Sequence, residues 1–139
     1  MCALIASWDG KLPFDGDVIL VEDDATLLSL MKEILEDIGG TCYSFPCADD
    51  ALIHMLSSGR SPGLVVADHG VPGQIKGVEF TSMVTQRWPG TPTILTSGYS
   101  AEAFEVPESV IYLQKPWSLD GLVQSIVELL QPGIALRRL

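Results

Sequence analysis

The chain has 139 residues, enough for one domain with a substantial core, and 47% of them are hydrophobic, which excludes a disordered polymer. Eighteen acidic residues against eight Lys and Arg give a net charge of −10, a surface that repels phosphate backbones and argues against nucleic-acid binding. Cys2, Cys42 and Cys47 are odd in number and lack metal-ligand spacing, so reduced thiols are expected and neither a disulfide framework nor a zinc site.

The opening MCALIASWDG has no basic start and no apolar run of signal-peptide length, and nothing approaches the roughly 18 apolar residues of a spanning helix. A soluble, cytoplasmic protein without membrane contact is the expectation. Residues 1–16 show no periodicity and read as a leader or the remnant of a linker. DVILV (17–21) is a continuous apolar, β-branched run, the pattern of a strand buried on both faces. Glu22, Asp23 and Asp24 follow; then Leu27, Leu30, Met31, Ile34, Leu35 and Ile38 recur at helical spacing until Gly39-Gly40.

The alternation repeats. TCYSF (41–45) predicts a brief strand, Ala48, Leu52, Met55 and Leu56 a helix ended by Gly59, and GLVVAD (63–68) a fully apolar strand closing on a carboxylate. A helix through Val78, Phe80, Met83, Val84 and Trp88 should stop at Pro89-Gly90, and TPTILTS (91–97) is again a buried strand. A short helix is weakly signalled over 100–106, SVIYLQ (109–114) is a fifth strand, and Ser118 is placed to cap a last helix ended by Pro132-Gly133. Five strands alternating with about five helices predict a doubly wound α/β domain over 17–131, a parallel sheet with helices on both faces, and a tail over 132–139. The mean hydropathy of +0.29, high for so acidic a chain, fits a sheet covered on both sides.

In such sheets the functional crevice lies at the carboxyl ends of the strands. Glu22-Asp23-Asp24, Asp68, Thr96-Ser97 and Lys115-Pro116 all fall there. Each has a plain structural reading as a cap, a turn former, a local hydroxyl or a solvated lysine. Their convergence on one edge favours chemistry. Two carboxylates about 4 Å apart repel by roughly 4 kcal/mol at an effective dielectric of about 20, so a cluster of acids is better explained by a bound cation than by capping alone.

VILVEDD, LVVADHGVPG, TILTSGYS and YLQKPWS, in this order and spacing, resemble the receiver domain of two-component response regulators over residues 17 to about 131. The resemblance implies a flavodoxin-like strand order 2-1-3-4-5 and a module that takes a phosphoryl group from a phosphohistidine with Mg²⁺. On it, Asp68 matches the phosphoacceptor, Glu22 and Asp23 the acidic pair that handles Mg²⁺, Gly70 lies where a backbone carbonyl joins the shell, Ser97 matches the switch hydroxyl, Lys115 the site lysine and Tyr112 the aromatic switch position. Asp24 falls at a variable position, outside the site. Thr96 competes with Ser97 for the hydroxyl role. The implied partners are a histidine kinase or a histidine phosphotransfer protein, with a kinase fused in a longer parent chain as one arrangement and room for dimerisation. No dedicated enzyme activity is implied beyond Mg²⁺-dependent self-phosphorylation and slow dephosphorylation. The alternative is a receiver-like interaction domain that phosphorylation does not regulate.

Two features depart from the family pattern. The loop DHGVPGQIKGVEF carries one residue more than usual, and His69 stands where an apolar residue is common. His69 as a phosphotransfer histidine is disfavoured, because it sits on a sheet-end loop and not on a helix bundle. The segment between Ser97 and Tyr112 is short, so the fourth helix is expected to be stunted. An electron carrier of flavodoxin type would need a hydroxyl-rich phosphate loop where this chain has acids. An aspartyl-phosphate hydrolase would need a second acid where Gly70 stands.

Overall fold

A computed structural model describes residues 8–9, 16–37, 39–98, 106, 109–130 and 137–138. The strands are β1 (Gly16–Val21), β2 (Gly40–Phe45), β3 (Leu64–Asp68), β4 (Thr93–Ser97) and β5 (Val110–Gln114). The helices are α1 (Ala25–Asp37), α2 (Ala48–Ser58), α3 (Gly77–Arg87) and α4 (Leu119–Leu130). The strands form one parallel sheet in the order β2-β1-β3-β4-β5, the predicted arrangement. Four helices are described; residues 100–105 of the one signalled over 100–106 and the Pro132-Gly133 stop lie outside the described residues. Trp8–Asp9 pair antiparallel with Arg137–Arg138, joining the two flanks of the domain in a short ladder.

The pleat sends alternate residues to two separate cores. Val18 and Leu20 of β1, Leu64 and Val66 of β3 and Ile94 of β4 pack with Met31, Ile34 and Leu35 of α1 and Leu122 and Ile126 of α4. Ile19, Val21, Val65 and Ala67 face the other way, onto Ala48, Ala51 and Met55 of α2 and Phe80 and Val84 of α3. Strands β3 and β4 are buried along their whole length, which is why LVVA of β3 is apolar without alternation, whereas β4 buries three hydroxyl side chains, Thr93, Thr96 and Ser97, beside Ile94 and Leu95. Burying each such large side chain contributes about 1.5–3 kcal/mol.

Helix ends are set locally. Asp24 Oδ1 accepts from the backbone N–H of Leu27 at 3.0 Å and caps α1, Gly59 ends α2 in the left-handed region at φ 69°, and Ser118 Oγ accepts from the N–H of Gly121 at 2.9 Å to cap α4. The apolar stripes are wider than the sheet can cover. Leu30, Leu56 and Met83, all placed on helical apolar faces by their spacing, remain 37%, 52% and 39% exposed, and Ile53 63%.

Candidate functional site

The same alternation that builds the cores aims the site. Glu22 continues the phase of Val18 and Leu20, and its N–H still donates to Phe45 O at 3.1 Å, so its carboxylate enters the sheet edge and is only 1% exposed. Asp68 follows Leu64 and Val66, and its register partner across the sheet is Thr96. Lys115 comes just beyond β5, where its N–H donates to Ser97 O at 2.6 Å; the Lys115–Pro116 peptide is cis. These placements bring together side chains up to 93 residues apart in sequence.

Lys115 Nζ lies 3.1 Å from Asp68 Oδ1 and 3.4 Å from Glu22 Oε1. The Thr96 hydroxyl donates to Asp68 Oδ1 over 3.4 Å, and Glu22 Oε2 accepts from the Asp24 N–H at 3.1 Å. Glu22, Asp23 and Asp68 each offer an oxygen within 4.8 Å of the others, with Asp23 exposed and the other two buried. Burial pushes the Glu22 carboxyl above its ordinary range, and the Asp68 charge adds to the rise, against the Asp24 N–H and Lys115. Burial pulls the Lys115 ammonium down, but the carboxylates of Asp68 and Glu22 outweigh it and hold it above its usual value. Lys115 pairs with two of these three carboxylates, so the cluster keeps an excess of negative charge. The excess negative charge and the all-oxygen donors suit a hard divalent cation such as Mg²⁺, which Glu22, Asp23 and Asp68 could hold.

The remaining candidates lie around this centre. Gly70 is exposed beside it: a Cβ there would sit 3.4 Å from Asp68 Oδ2. Ser97 is 2% exposed and, by the alternation of β4, falls on the opposite face from Thr96, so the hydroxyl in contact with Asp68 is that of Thr96. Tyr112 is half-buried in β5 opposite Leu95, out of phase with Ile111 and Leu113, which pack on the α1–α4 side. Asp24, the third acid, caps α1.

Residues that local patterns did not single out fix the loop after Asp68. His69 Nδ1 accepts from the Val78 N–H at 3.3 Å, which turns this histidine into a cap for α3. Asp49 of α2 accepts from the N–H groups of Gln74 and Ile75 at 3.3 and 3.2 Å, and Lys76 Nζ donates to Val71 O at 3.0 Å. Gly77 opens α3 hard against the strand end, where a Cβ would meet Asp68 O at 2.6 Å and His69 Cα at 2.5 Å. The one signal in the sequence was at the helix start, where Lys76 holds the cap position at which Ser, Thr, Asp or Asn is usual and Gly77 follows as the first helical residue.

Comparison with known proteins agrees with this geometry. The family model for the response regulator receiver domain matches residues 18–127. The chain is 28% identical over 112 residues to the nitrogen assimilation regulatory protein NtrX of Azorhizobium caulinodans, covering 77% of this chain and 24% of that protein. It is 30% identical over 115 residues to the hydrogenase transcriptional regulatory protein HoxA of Cupriavidus necator, covering 78% of this chain and 23% of that one. The chain thus spans about a quarter of the length of these relatives. Among solved structures, a response regulator receiver protein from Sinorhizobium medicae WSM419 superposes with a TM-score of 0.73 at 26% identity, covering 84% of this chain and 94% of that one. With the strand order, the acid-and-lysine edge and the family match over one continuous stretch in agreement, the chain belongs to the family of response regulator receiver domains.

Proposed function

We propose that the domain accepts a phosphoryl group on Asp68 from a phosphohistidine of a histidine kinase or phosphotransfer protein, and that this charge changes a partner-binding face. The observation that carries this reading is the meeting of Glu22, Asp23, Asp68 and Lys115 at one sheet edge. Glu22, Asp23 and Asp68, with the Gly70 carbonyl nearby, are the groups that would hold Mg²⁺. Bound there, the ion would neutralise the phosphoryl oxygens and so reduce their repulsion of a carboxylate.

The chain's own residues supply the rest. A carboxylate oxygen of Asp68 forms a bond to phosphorus as the phosphorus–nitrogen bond breaks, and the imidazole leaves with the bonding pair. Lys115, held by the Ser97 carbonyl and by both buried acids, keeps a positive charge beside Asp68 Oδ1 throughout. Ser97 and Thr96 offer the hydroxyls that a phosphoryl oxygen would draw on, and Tyr112, half-buried on β5, is the ring that would follow the strand's adjustment. An open groove of about 560 Å³ lined by Leu27, Leu30, Lys115, Pro116 and Trp117 borders the site and suits the apolar face of a donor helix. Slow hydrolysis of the phosphoaspartate would reset the domain.

Labelling by acetyl phosphate with and without Mg²⁺ tests the reading, with Asp68→Asn as the control. Labelling that needs Mg²⁺ and disappears in the variant is expected. Equal labelling of the variant would refute the assignment of Asp68, and no labelling of the parent chain would favour an interaction domain that works unphosphorylated.

A further inference from the structure

Of the four large hydrophobic side chains that stand exposed among the described residues, three lie away from the phosphoacceptor edge: Ile53 and Leu56 on α2 and Met83 on α3. Leu52, Leu56, Met83, Gln86 and Arg87 line a groove of about 340 Å³ between the two helices. Apolar surface gathered in this way marks an interface. The charges around it identify the occupant.

On α3, Glu79, Met83 and Arg87 are spaced four apart, so they stack along one face with the acid one turn before Met83 and the base one turn after it. The arrangement is antisymmetric about Met83. Laid antiparallel against a second copy, with the two Met83 side chains near the twofold axis, it sets Glu79 of each chain opposite Arg87 of the other. An isologous contact requires this kind of self-complementary patch. The apolar residues of α2 then extend the buried area on both sides, and the Arg87 guanidinium stays braced over the Trp88 ring, 5.9 Å from its centroid. We infer that the α2–α3 face is a homodimer interface, centred on Met83 and held in register by Glu79–Arg87 pairs between copies. It lies on the opposite side of the sheet from the α1–α4 core and is independent of the phosphorylation reading.

Sedimentation equilibrium of the 139-residue chain, at concentrations up to about 1 mM, tests this. The parent chain is expected to dimerise reversibly. Met83→Glu, which sets two carboxylates at the axis, should abolish association. Glu79→Arg and Arg87→Glu should each weaken it at least tenfold, and the double exchange Glu79→Arg with Arg87→Glu should restore it, because the paired charges are merely reversed. All three positions of change are at the surface, and circular dichroism checks that each variant is folded. A parent chain that stays monomeric throughout, or folded single variants that the double exchange does not rescue, would overturn the inference.

Discussion

Lys115 Nζ stands between two buried carboxylates, 3.1 Å from Asp68 Oδ1 and 3.4 Å from Glu22 Oε1. One ammonium therefore balances acids from the ends of two different strands, and replacing it should have two separable effects. Lys115→Met is expected to slow labelling by acetyl phosphate about 100-fold, the scale for removing one preorganised charge from a phosphoryl site. It should also destabilise the metal-free domain by about 2 kcal/mol, below the range for a fully buried pair because the Lys115 side chain is 28% exposed. Urea titration in the presence of a chelator measures the second effect, and added Mg²⁺ should recover part of it.

The two adjacent hydroxyls of β4 should separate. Thr96 meets Asp68 over 3.4 Å, a long hydrogen bond, so Thr96→Val is expected to lower the labelling rate only a few-fold, on the order of 1 kcal/mol. Ser97→Ala should leave the rate nearly unchanged and blunt the response of the Tyr112 ring resonances to phosphorylation. Time courses of labelling and NMR of the tyrosine ring distinguish the two. A reversal of these effects would move the switch role to Thr96.

Glu22 gives the metal-free protein an unusual pH dependence. Its folded pKa lies above the unfolded value, so between the two the native state binds more protons than the unfolded chain. The Glu22 contribution to stability therefore rises as pH falls from neutrality through the folded pKa, and is lost as pH rises through it. Glu22→Gln should flatten that part of the profile, raise metal-free stability at neutral pH, and reduce the stabilisation gained from Mg²⁺. Chemical denaturation across pH, with and without the ion, reads all three.

Gly77 is fixed by contact and not by dihedral angle. A methyl group there would press on Asp68 O at 2.6 Å, on backbone that cannot yield without moving the Asp68 carboxylate. Gly77→Ala is expected to cost about 1–3 kcal/mol in urea unfolding despite the better helix propensity of alanine. Labelling should fall as well, whereas Gly90→Ala, strained by its φ of 87° but with open space around it, should cost stability and leave labelling intact.

Most of the fold was legible because its signals are local. VILV and LVVA announce strands covered on both sides, Gly59 and Pro89 stop helices by their own backbone chemistry, and Ser118 caps α4 as its position implies. The meeting of the acids with Lys115 could be read once strand ends were aligned along one edge. The tethers of the β3–α3 loop could not, because Asp49 acts on backbone N–H groups 25 and 26 residues away and any loop sequence supplies those. His69 was invisible as a cap for a related reason: its ring folds forward onto the N–H of Val78 in α3, nine residues on. Among the three consecutive acids, periodicity could not separate functions. Burial draws in Glu22, exposure leaves Asp23 at the rim, and helix geometry claims Asp24.

The alternation of β3 carries a final implication for how such a chain can vary. Leu64 and Val66 pack on one side, Val65 and Ala67 on the other, and Asp68 takes the next place in that sequence. Inserting or deleting a single residue within the strand would swap every one of these allegiances and swing the carboxylate away from Lys115. Loops can lengthen without this consequence, but the strand's residue count is tied to where its acid points. Correct folding of β3 and a correctly aimed Asp68 carboxylate are therefore tied together in this protein.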